Sequence, residues 1–175
     1  MRIIGSGVYN YDTIVERSYP QGFVVGKKNP FVENVISAEV GGTCGNVMCM
    51  LAYHGEEVYP QAQFDMSDQG YRLKADLERY GCDTRYVENI SSGGTAMLDC
   101  THKRDKATGA HTISFRAHGP NSRFAKRKQL RERDEVPAFL EALTFVPDLY
   151  FFDAPEAGPR ALAAAFAQQG ALVYF

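Results

Sequence analysis

The most distinctive segment of this 175-residue sequence is the glycine-rich turn Val40–Asn46, VGGTCGN, which leads directly into an apolar segment. Paired glycines let a backbone turn sharply and approach a ligand closely. The N–H groups of the following helical turn would then point at whatever occupies the turn. Asn46 can donate and accept hydrogen bonds, which suits a hydroxyl-rich ligand. A purely structural strand–helix connection capped by Asn46 is the alternative, because short glycine motifs often occur by chance.

Acidic residues follow two predicted strands. Asp12 comes just after the first strand, in the segment Asn10–Asp12, and Asp153 ends the apolar strand Leu149–Phe152. Because parallel strands present their carboxyl ends at one edge of a sheet, where open α/β folds bind ligands, we expect both acids to meet the glycine turn on one rim. Two carboxylates, which only accept hydrogen bonds, together with an asparagine suit a polyol.

The apolar pattern alternates strands with helices, which implies βαβ units and a mostly parallel sheet. We predict strands at Ile3–Val8, Glu57–Gln63, Thr84–Val87, Asp148–Asp153 and Ala171–Phe175, and helices at Asn46–Tyr53, Tyr71–Tyr80, Pro137–Leu143 and Pro159–Gln169. Further extended stretches are predicted at Phe23–Val25, Val32–Val40, Thr95–Thr101 and His111–Ala117. These lie between the βαβ units, and we expect them to pair into a small separate sheet over one edge of the core.

The last predicted strand, Ala171–Phe175, has the continuous apolar character of a buried parallel strand. A strand of this kind requires neighbours and a covering helix. We therefore expect the chain to be truncated, a piece of a longer one.

In their order along the chain, these motifs resemble the PfkB or ribokinase-like carbohydrate kinases. The glycine turn through Asn46, followed by Gly55, is similar to the N-terminal signature of that family, and Asn10–Asp12 is similar to its early Asn-x-Asp, which holds sugar hydroxyls. The run Asp68–Thr84 and the hairpin Gly94–Phe115 resemble a later family motif and the family's lid strands. The resemblance covers essentially the whole chain.

The resemblance implies an α/β fold with a ribokinase-like core, in which a mostly parallel sheet is flanked by helices and carries a small β-sheet lid. Residues 1–175 would form the N-terminal part of one such domain, with lid insertions at about 18–40 and 93–118. The lid also implies a homodimer. The substrate-binding residues implied are Asn10, Asp12, Gly41, Gly42, Asn46 and Asp153, with Arg116 of the lid hairpin as a further candidate. An exposed strand residue without a ligand is the alternative for Arg116.

The activity implied is transfer of the ATP γ-phosphate to a hydroxyl of a sugar or nucleoside, with Mg²⁺ as the metal. The family's catalytic base and ATP site would lie beyond Phe175, so we assign no catalytic residue and no metal ligand here. We expect residues 1–175 alone to be inactive and to bind neither ATP nor Mg²⁺. The alternative is a non-catalytic relative that binds a sugar or nucleoside as a sensor or interaction module.

Composition and charge narrow the class of protein to which the chain can belong. Hydrophobic residues make up 45% and charged residues 23% of the chain, which fits an ordinary globular protein and excludes intrinsic disorder. The formal charge of −2 provides no overall attraction to nucleic acid or a membrane surface. The apolar runs are too short to span a bilayer, no export signal is apparent, and the four cysteines form no CxxC pair. We expect a cytoplasmic protein with reduced thiols.

Three weaker signals are set aside. Residues 123–133 carry six basic side chains against one acidic, a net charge of +5, for which we favour a solvated face over a phosphate or nucleic-acid patch. Gly5-Ser6-Gly7 lacks the third glycine of a dinucleotide-binding turn. His102 and His111 are expected to face each other across the lid hairpin, but two histidines without a third ligand make a weak metal site.

Overall fold

A computed structural model describes residues 1–22, 24, 25, 27–118 and 122–175. The strands are β1 (Arg2–Ser6), β2 (Asn10–Tyr19), β3 (Val32–Gly41), β4 (Glu57–Phe64), β5 (Val87–Asn89), β6 (Ala96–Asp105), β7 (His111–His118), β8 (Leu149–Phe152) and β9 (Leu172–Tyr174). The helices are α1 (Thr43–Tyr53), α2 (Asp68–Arg79), α3 (Ser122–Lys128), α4 (Val136–Ala142) and α5 (Ala157–Gln168). Single 3₁₀ turns occupy Thr84–Tyr86 and Arg133–Glu135. None of the helices in these ranges has the length and apolar character to cross a bilayer.

The core is a five-stranded sheet in the order β5-β4-β1-β8-β9, in which every neighbouring pair is parallel. Successive side chains of β1 point to opposite faces, so Ile3 and Ile4 begin two separate apolar clusters. Ile3 packs with residues of α1 and α2, whereas Ile4 packs with residues of α4 and α5. Helices therefore cover both faces, as expected for a parallel sheet. This confirms the predicted α/β core.

The second sheet has the order β3-β2-β6-β7 and forms the lid. The β2–β3 and β6–β7 pairs are antiparallel, whereas β2 and β6 run parallel. The prediction of a small separate sheet is confirmed, but its membership differs, because β2 is a ten-residue strand in a segment where we predicted no strand. Its buried apolar residues are Tyr11, Val15 and Tyr19, which recur every four residues and so hide the two-residue period of a strand.

Other boundaries also differ from the predictions. Val24 and Val25 are not in a strand, and Phe23 and Gly26 lie outside the described residues. The strand predicted at Thr84–Val87 is instead the 3₁₀ turn followed by β5, because Asp83 accepts the Arg85 N–H and caps that turn. The strand predicted at the end of the chain is confirmed as β9, which lies at the sheet edge with β8 as its paired neighbour. Its apolar side chains are exposed, and Phe175, which follows it, is 69% exposed.

Candidate functional site

The glycine turn and the start of β2 meet at the carboxyl end of β1. Gly42 immediately precedes α1 with a φ of 81°, and its N–H lies close enough to the Asp12 carboxylate to lower the pKa of that group. The Val8 carbonyl, between β1 and β2, accepts the N–H of Gly45 at 3.3 Å. A Cβ built on Gly41 would lie only 1.9 Å from Asp12 Oδ2. The backbone of the turn therefore lies directly against the Asp12 side chain, as the sequence predicted for a ligand-binding rim.

Two buried acceptors at this junction have no hydrogen-bond donor. Within the described part of the chain, Asn10 Oδ1 and Asp12 Oδ1 are both buried and both unpartnered. The two residues are two positions apart on β2 and so lie on the same face of the lid sheet. Buried polar atoms are almost always paired in native proteins, so a pair of unmet acceptors calls for a specific explanation. Donor groups of a bound ligand, such as hydroxyls, would satisfy both.

Burial also sets the electrostatics of Asp12. Removal from water raises the pKa of the Asp12 carboxyl, while the nearby Lys126 ammonium and the Gly42 N–H lower it. A carboxylate in this setting is a stronger hydrogen-bond acceptor than one in water.

Asp153 reaches the same rim, where it braces the backbone. Its Oδ1 accepts the Val8 N–H at 2.8 Å, and its Oδ2 accepts the Cys44 N–H of the first turn of α1 at 2.9 Å. Burial raises the pKa of the Asp153 carboxyl, and the two N–H donors oppose that shift. Asp153 thus ties the β1–β2 loop to the start of α1. Each oxygen keeps a second lone pair, so the sugar contact expected from the sequence stays a prediction.

The remaining candidates are more dispersed. Asn46 is exposed near the start of α1, and its N–H donates to the Gly42 carbonyl at 2.9 Å. Arg116 is exposed on β7 opposite Asp99 of β6. Because Asp12 is in register with Leu98, the neighbour of Asp99, Arg116 belongs to the opposite face of the lid sheet from Asp12. The structure therefore brings Asn10, Asp12 and the glycine turn together but leaves Arg116 apart from them.

Gln129 is a structural partner of the site that the sequence did not indicate. Its side chain is fully buried and makes two hydrogen bonds with the backbone of Tyr9: Nε2 donates to the Tyr9 carbonyl at 2.6 Å, and Oε1 accepts the Tyr9 N–H at 3.2 Å. Its own carbonyl accepts the Gln63 N–H from β4 at 2.9 Å. Tyr9 immediately precedes Asn10, so this clamp fixes the backbone that leads into the site.

The lid hairpin holds the predicted histidine pair. His102 Nε2 and His111 Nδ1 are 2.9 Å apart, which confirms that the two side chains face each other. No group of three or more potential metal ligands occurs among the residues that the structure describes.

Replacing Asp153 by asparagine tests its role as a brace. The amide keeps one acceptor and turns an NH₂ group toward either the Val8 or the Cys44 N–H, which leaves that donor unsatisfied. We expect a loss of about 1–3 kcal/mol in the free energy of unfolding, the cost of a buried unpaired group. Urea denaturation measures it, with the exposed Asp134→Asn as the charge-matched control. An unchanged urea midpoint would show that the brace is dispensable.

Comparison with known proteins gives the fold an independent reference. No family model matches the sequence, and no curated protein matches it. Among solved structures, the chain is similar to a PfkB protein from Polaromonas sp. JS666, with 17% identity and a TM-score of 0.63, over 99% of this chain and 54% of that one. A putative ribokinase II from E. coli matches at 11% identity and a TM-score of 0.65, over 98% and 51%. Ribokinase from Cryptococcus neoformans var. grubii serotype A, in complex with ADP, matches at 16% identity and a TM-score of 0.54, over 97% and 46%.

These likenesses confirm the resemblance predicted from the sequence at the level of the fold. The chain has the ribokinase-like α/β fold of PfkB-type sugar kinases, and it spans about half the length of the solved structures that it matches.

Proposed function

We propose that this chain is the acceptor-binding part of an ATP-dependent carbohydrate or nucleoside kinase that acts in the cytoplasm. The observation that carries the proposal is the pair of buried, unpartnered oxygens, Asn10 Oδ1 and Asp12 Oδ1, beside a glycine turn. Hydroxyl groups of a sugar are the donors that suit these acceptors. The fold shared with sugar kinases agrees with this choice of ligand.

The chemical task of these residues is orientation. Phosphoryl transfer depends on an acceptor hydroxyl held in line with the γ-phosphate, so groups that fix the sugar contribute directly to the rate. Asp12 and Asn10 would hold hydroxyls, while the Gly41–Gly42 backbone lets the sugar approach closely. We assign no residue of this chain to ATP or Mg²⁺. By the family resemblance, we propose that those sites and the catalytic base belong to the part of the fold that this chain does not cover.

A ligand screen with an activity measurement tests this function. Thermal unfolding of the full-length protein, of which we propose that residues 1–175 are the acceptor-binding part, is followed with a panel of sugars and nucleosides, with and without ATP and Mg²⁺. We expect at least one member to raise the unfolding midpoint, because a ligand that binds only the folded state stabilises it, and the same compound to be phosphorylated. Stabilisation without phosphorylation would favour the non-catalytic binder, and a panel without any stabilising member would overturn the proposal. Residues 1–175 alone should show no sugar-dependent ATP turnover.

We further propose that two copies of the chain associate through the lid. Ile14, Cys100 and Phe115 form a row across β2, β6 and β7 on the same face as Asp12. Phe115 and its neighbour on that face, Ile113, are 68% and 62% exposed. An apolar sheet face beside a binding site suits a twofold contact with a second copy, in which the same patch serves both partners.

Phe115→Glu tests the lid contact. A carboxylate in the centre of an apolar interface is costly to desolvate, so we expect the variant to be monomeric at concentrations where the parent is dimeric. Multi-angle light scattering measures the mass. Thr112→Glu, on the opposite face of β7, adds the same charge and should leave the dimer intact. A monomeric parent, or a dimeric Phe115→Glu protein, would contradict the proposal.

A further inference from the structure

Two cations of the basic segment, Lys126 and Arg127, line a cavity beside the site, and neither makes an ion pair among the described residues. The cavity has a volume of about 210 Å³ and is lined by Val8, Lys126, Arg127, Leu130, Asp153, Ala154, Pro155 and Glu156. Among the described residues, neither Lys126 nor Arg127 lies within 4.0 Å of a carboxylate oxygen. Lys126 also lowers the pKa of the Asp12 carboxyl electrostatically, and Val8 in the cavity lining precedes Asn10 by two residues, so the cavity adjoins the unmet acceptors.

The backbone that carries these cations is fixed on both sides. Ala125 packs directly on Gly94, where a Cβ would lie 2.2 Å from the Ala125 carbonyl oxygen. Three residues after Lys126, Gln129 is clamped to the Tyr9 backbone. The segment between these two anchors is therefore held against the same loop that positions Asn10. Lys126 is half-buried and Arg127 is exposed, so the solvated face expected from the sequence agrees with Arg127, while the backbone of both residues is held beside the site.

The acidic lining does not cancel these two charges. Both Asp153 oxygens accept N–H donors, one of them at the N-terminus of α1, whose dipole offsets negative charge. Glu156, the residue before α5, opposes an anion in the cavity, and its Oε2 is buried and unpartnered. An anion would thus be favoured on the α3 side, beside Lys126.

The surroundings favour a small ligand group over a nucleic acid. Arg127 also lines a second cavity, but there it is accompanied by Glu132, Asp134 and Glu135. Those carboxylates would repel a phosphodiester backbone that tracked along the basic segment. The first cavity, at about 210 Å³, is also smaller than the roughly 300–1,000 Å³ of pockets that hold a whole small molecule. It suits one end of a ligand whose remainder lies elsewhere.

We propose that Lys126 and Arg127 bind an anionic group, a carboxylate or a phosphate ester, carried by the same polyol whose hydroxyls contact Asn10 and Asp12. The acceptor is then a sugar acid or a sugar phosphate, not a neutral sugar. This inference rests on the proposed function and assigns its substrate class. Lysine and arginine are the side chains that pair with such anions, and arginine does so through two parallel hydrogen bonds.

Matched ligands separate this inference from the proposed function. Glucitol, gluconate and glucitol 6-phosphate share one hydroxylated six-carbon chain and differ in their terminal group, and the manno and galacto series provide the same trio. Calorimetric titration of the full-length protein should show, in at least one series, an anionic member that binds at least tenfold tighter than its neutral parent. The carboxylate and phosphate arms identify which anion is preferred, and the preference should fall with added salt.

Variants assign the preference to the two cations. Lys126→Ala with Arg127→Ala should abolish the tenfold preference while the neutral polyol keeps its affinity within about threefold. Lys27→Ala with Lys28→Ala removes the same charge from an exposed loop and should retain the preference.

Three results would overturn the inference: a neutral polyol that binds as tightly as its anionic partners, a preference that survives in the Lys126/Arg127 variant, or inorganic phosphate alone that binds as tightly as glucitol 6-phosphate. The first two leave the proposed function standing, because a polyol still binds. If no member of any series binds, the proposed function fails, and the inference fails with it.

Discussion

Replacing Asp12 by asparagine will lower the affinity for the polyol acceptor by about 100-fold without weakening the fold. Hydrogen bonds to a charged acceptor contribute about 1.5–3 kcal/mol each, and about 2.7 kcal/mol corresponds to a factor of 100 in affinity. Asparagine retains one carbonyl oxygen that can face the Gly42 N–H, but its NH₂ group cannot accept a ligand hydroxyl at the position of Asp12 Oδ1. Calorimetric titration with the best-binding compound measures the loss.

Stability provides the control for this substitution. Burial raises the pKa of Asp12 in the folded state above its unfolded value. An acid with a raised folded pKa favours folding most when it is protonated, so its contribution to stability declines as the pH rises through the interval between the unfolded and folded values. At neutral pH the ionised Asp12 therefore weakens the free protein, and Asp12→Asn should unfold at an equal or higher temperature. Glu16→Gln, on the same strand, removes one charge and should change neither the polyol affinity nor the unfolding temperature.

The pH dependence of binding checks the same assignment. Since the ionised carboxylate is the acceptor, polyol affinity in the parent should be full above the raised pKa of Asp12 and fall as the pH drops through it, which begins above the range of an ordinary aspartate. Asp12→Asn should lack this fall. If Asp12→Asn binds polyol within threefold of the parent affinity, or shows the same loss of affinity at acid pH, Asp12 does not contact the ligand.

The core elements could be predicted because their apolar spacing is local. In α2, Leu73 and Leu77 are four apart and both fully buried, and the predicted helix Tyr71–Tyr80 falls within a few residues of the observed one. The rim followed from the same logic, because a parallel sheet must place the residues after β1 and β8 at one edge.

Other parts of the site depend on contacts that no local pattern records. Gln129 lies 120 positions from Tyr9, and nothing in its immediate sequence marks it as a clamp. The side of the lid that Arg116 occupies is set by strand register, in which a shift of one residue exchanges the faces. Similarly, the sequence placed Asp153 at the rim, but only the coordinates show that both oxygens accept backbone donors.

Alanine at the adjacent positions Gly41 and Gly42 will separate the binding role of the turn from its structural role. At Gly41 the new Cβ would meet Oδ2 and Cγ of Asp12, at 1.9 and 2.3 Å. The Asp12 side chain can rotate away from the new Cβ, so the free energy of unfolding should fall by less than about 1 kcal/mol. That rotation moves the Asp12 carboxylate out of the site. We expect Gly41→Ala to bind polyol as poorly as Asp12→Asn, and the double variant to be no worse than either single one, because both act on one group.

At Gly42 the new Cβ would meet backbone that cannot move aside, 2.4 Å from the Val8 carbonyl oxygen and 2.9 Å from the Asn10 nitrogen. Its φ of 81° adds strain for any residue with a side chain. Backbone strain and forced displacement together predict a loss of about 2–5 kcal/mol in the free energy of unfolding. Gly55→Ala isolates the strain, because Gly55 has a φ of 89° with no atom within 4 Å of the Cβ position, so about 1 kcal/mol is expected there. Urea denaturation measures both variants. If Gly42→Ala is no less stable than Gly55→Ala, the loop before β2 does not contact the glycine turn closely. The burial of the Asn10 and Asp12 oxygens would then need another explanation.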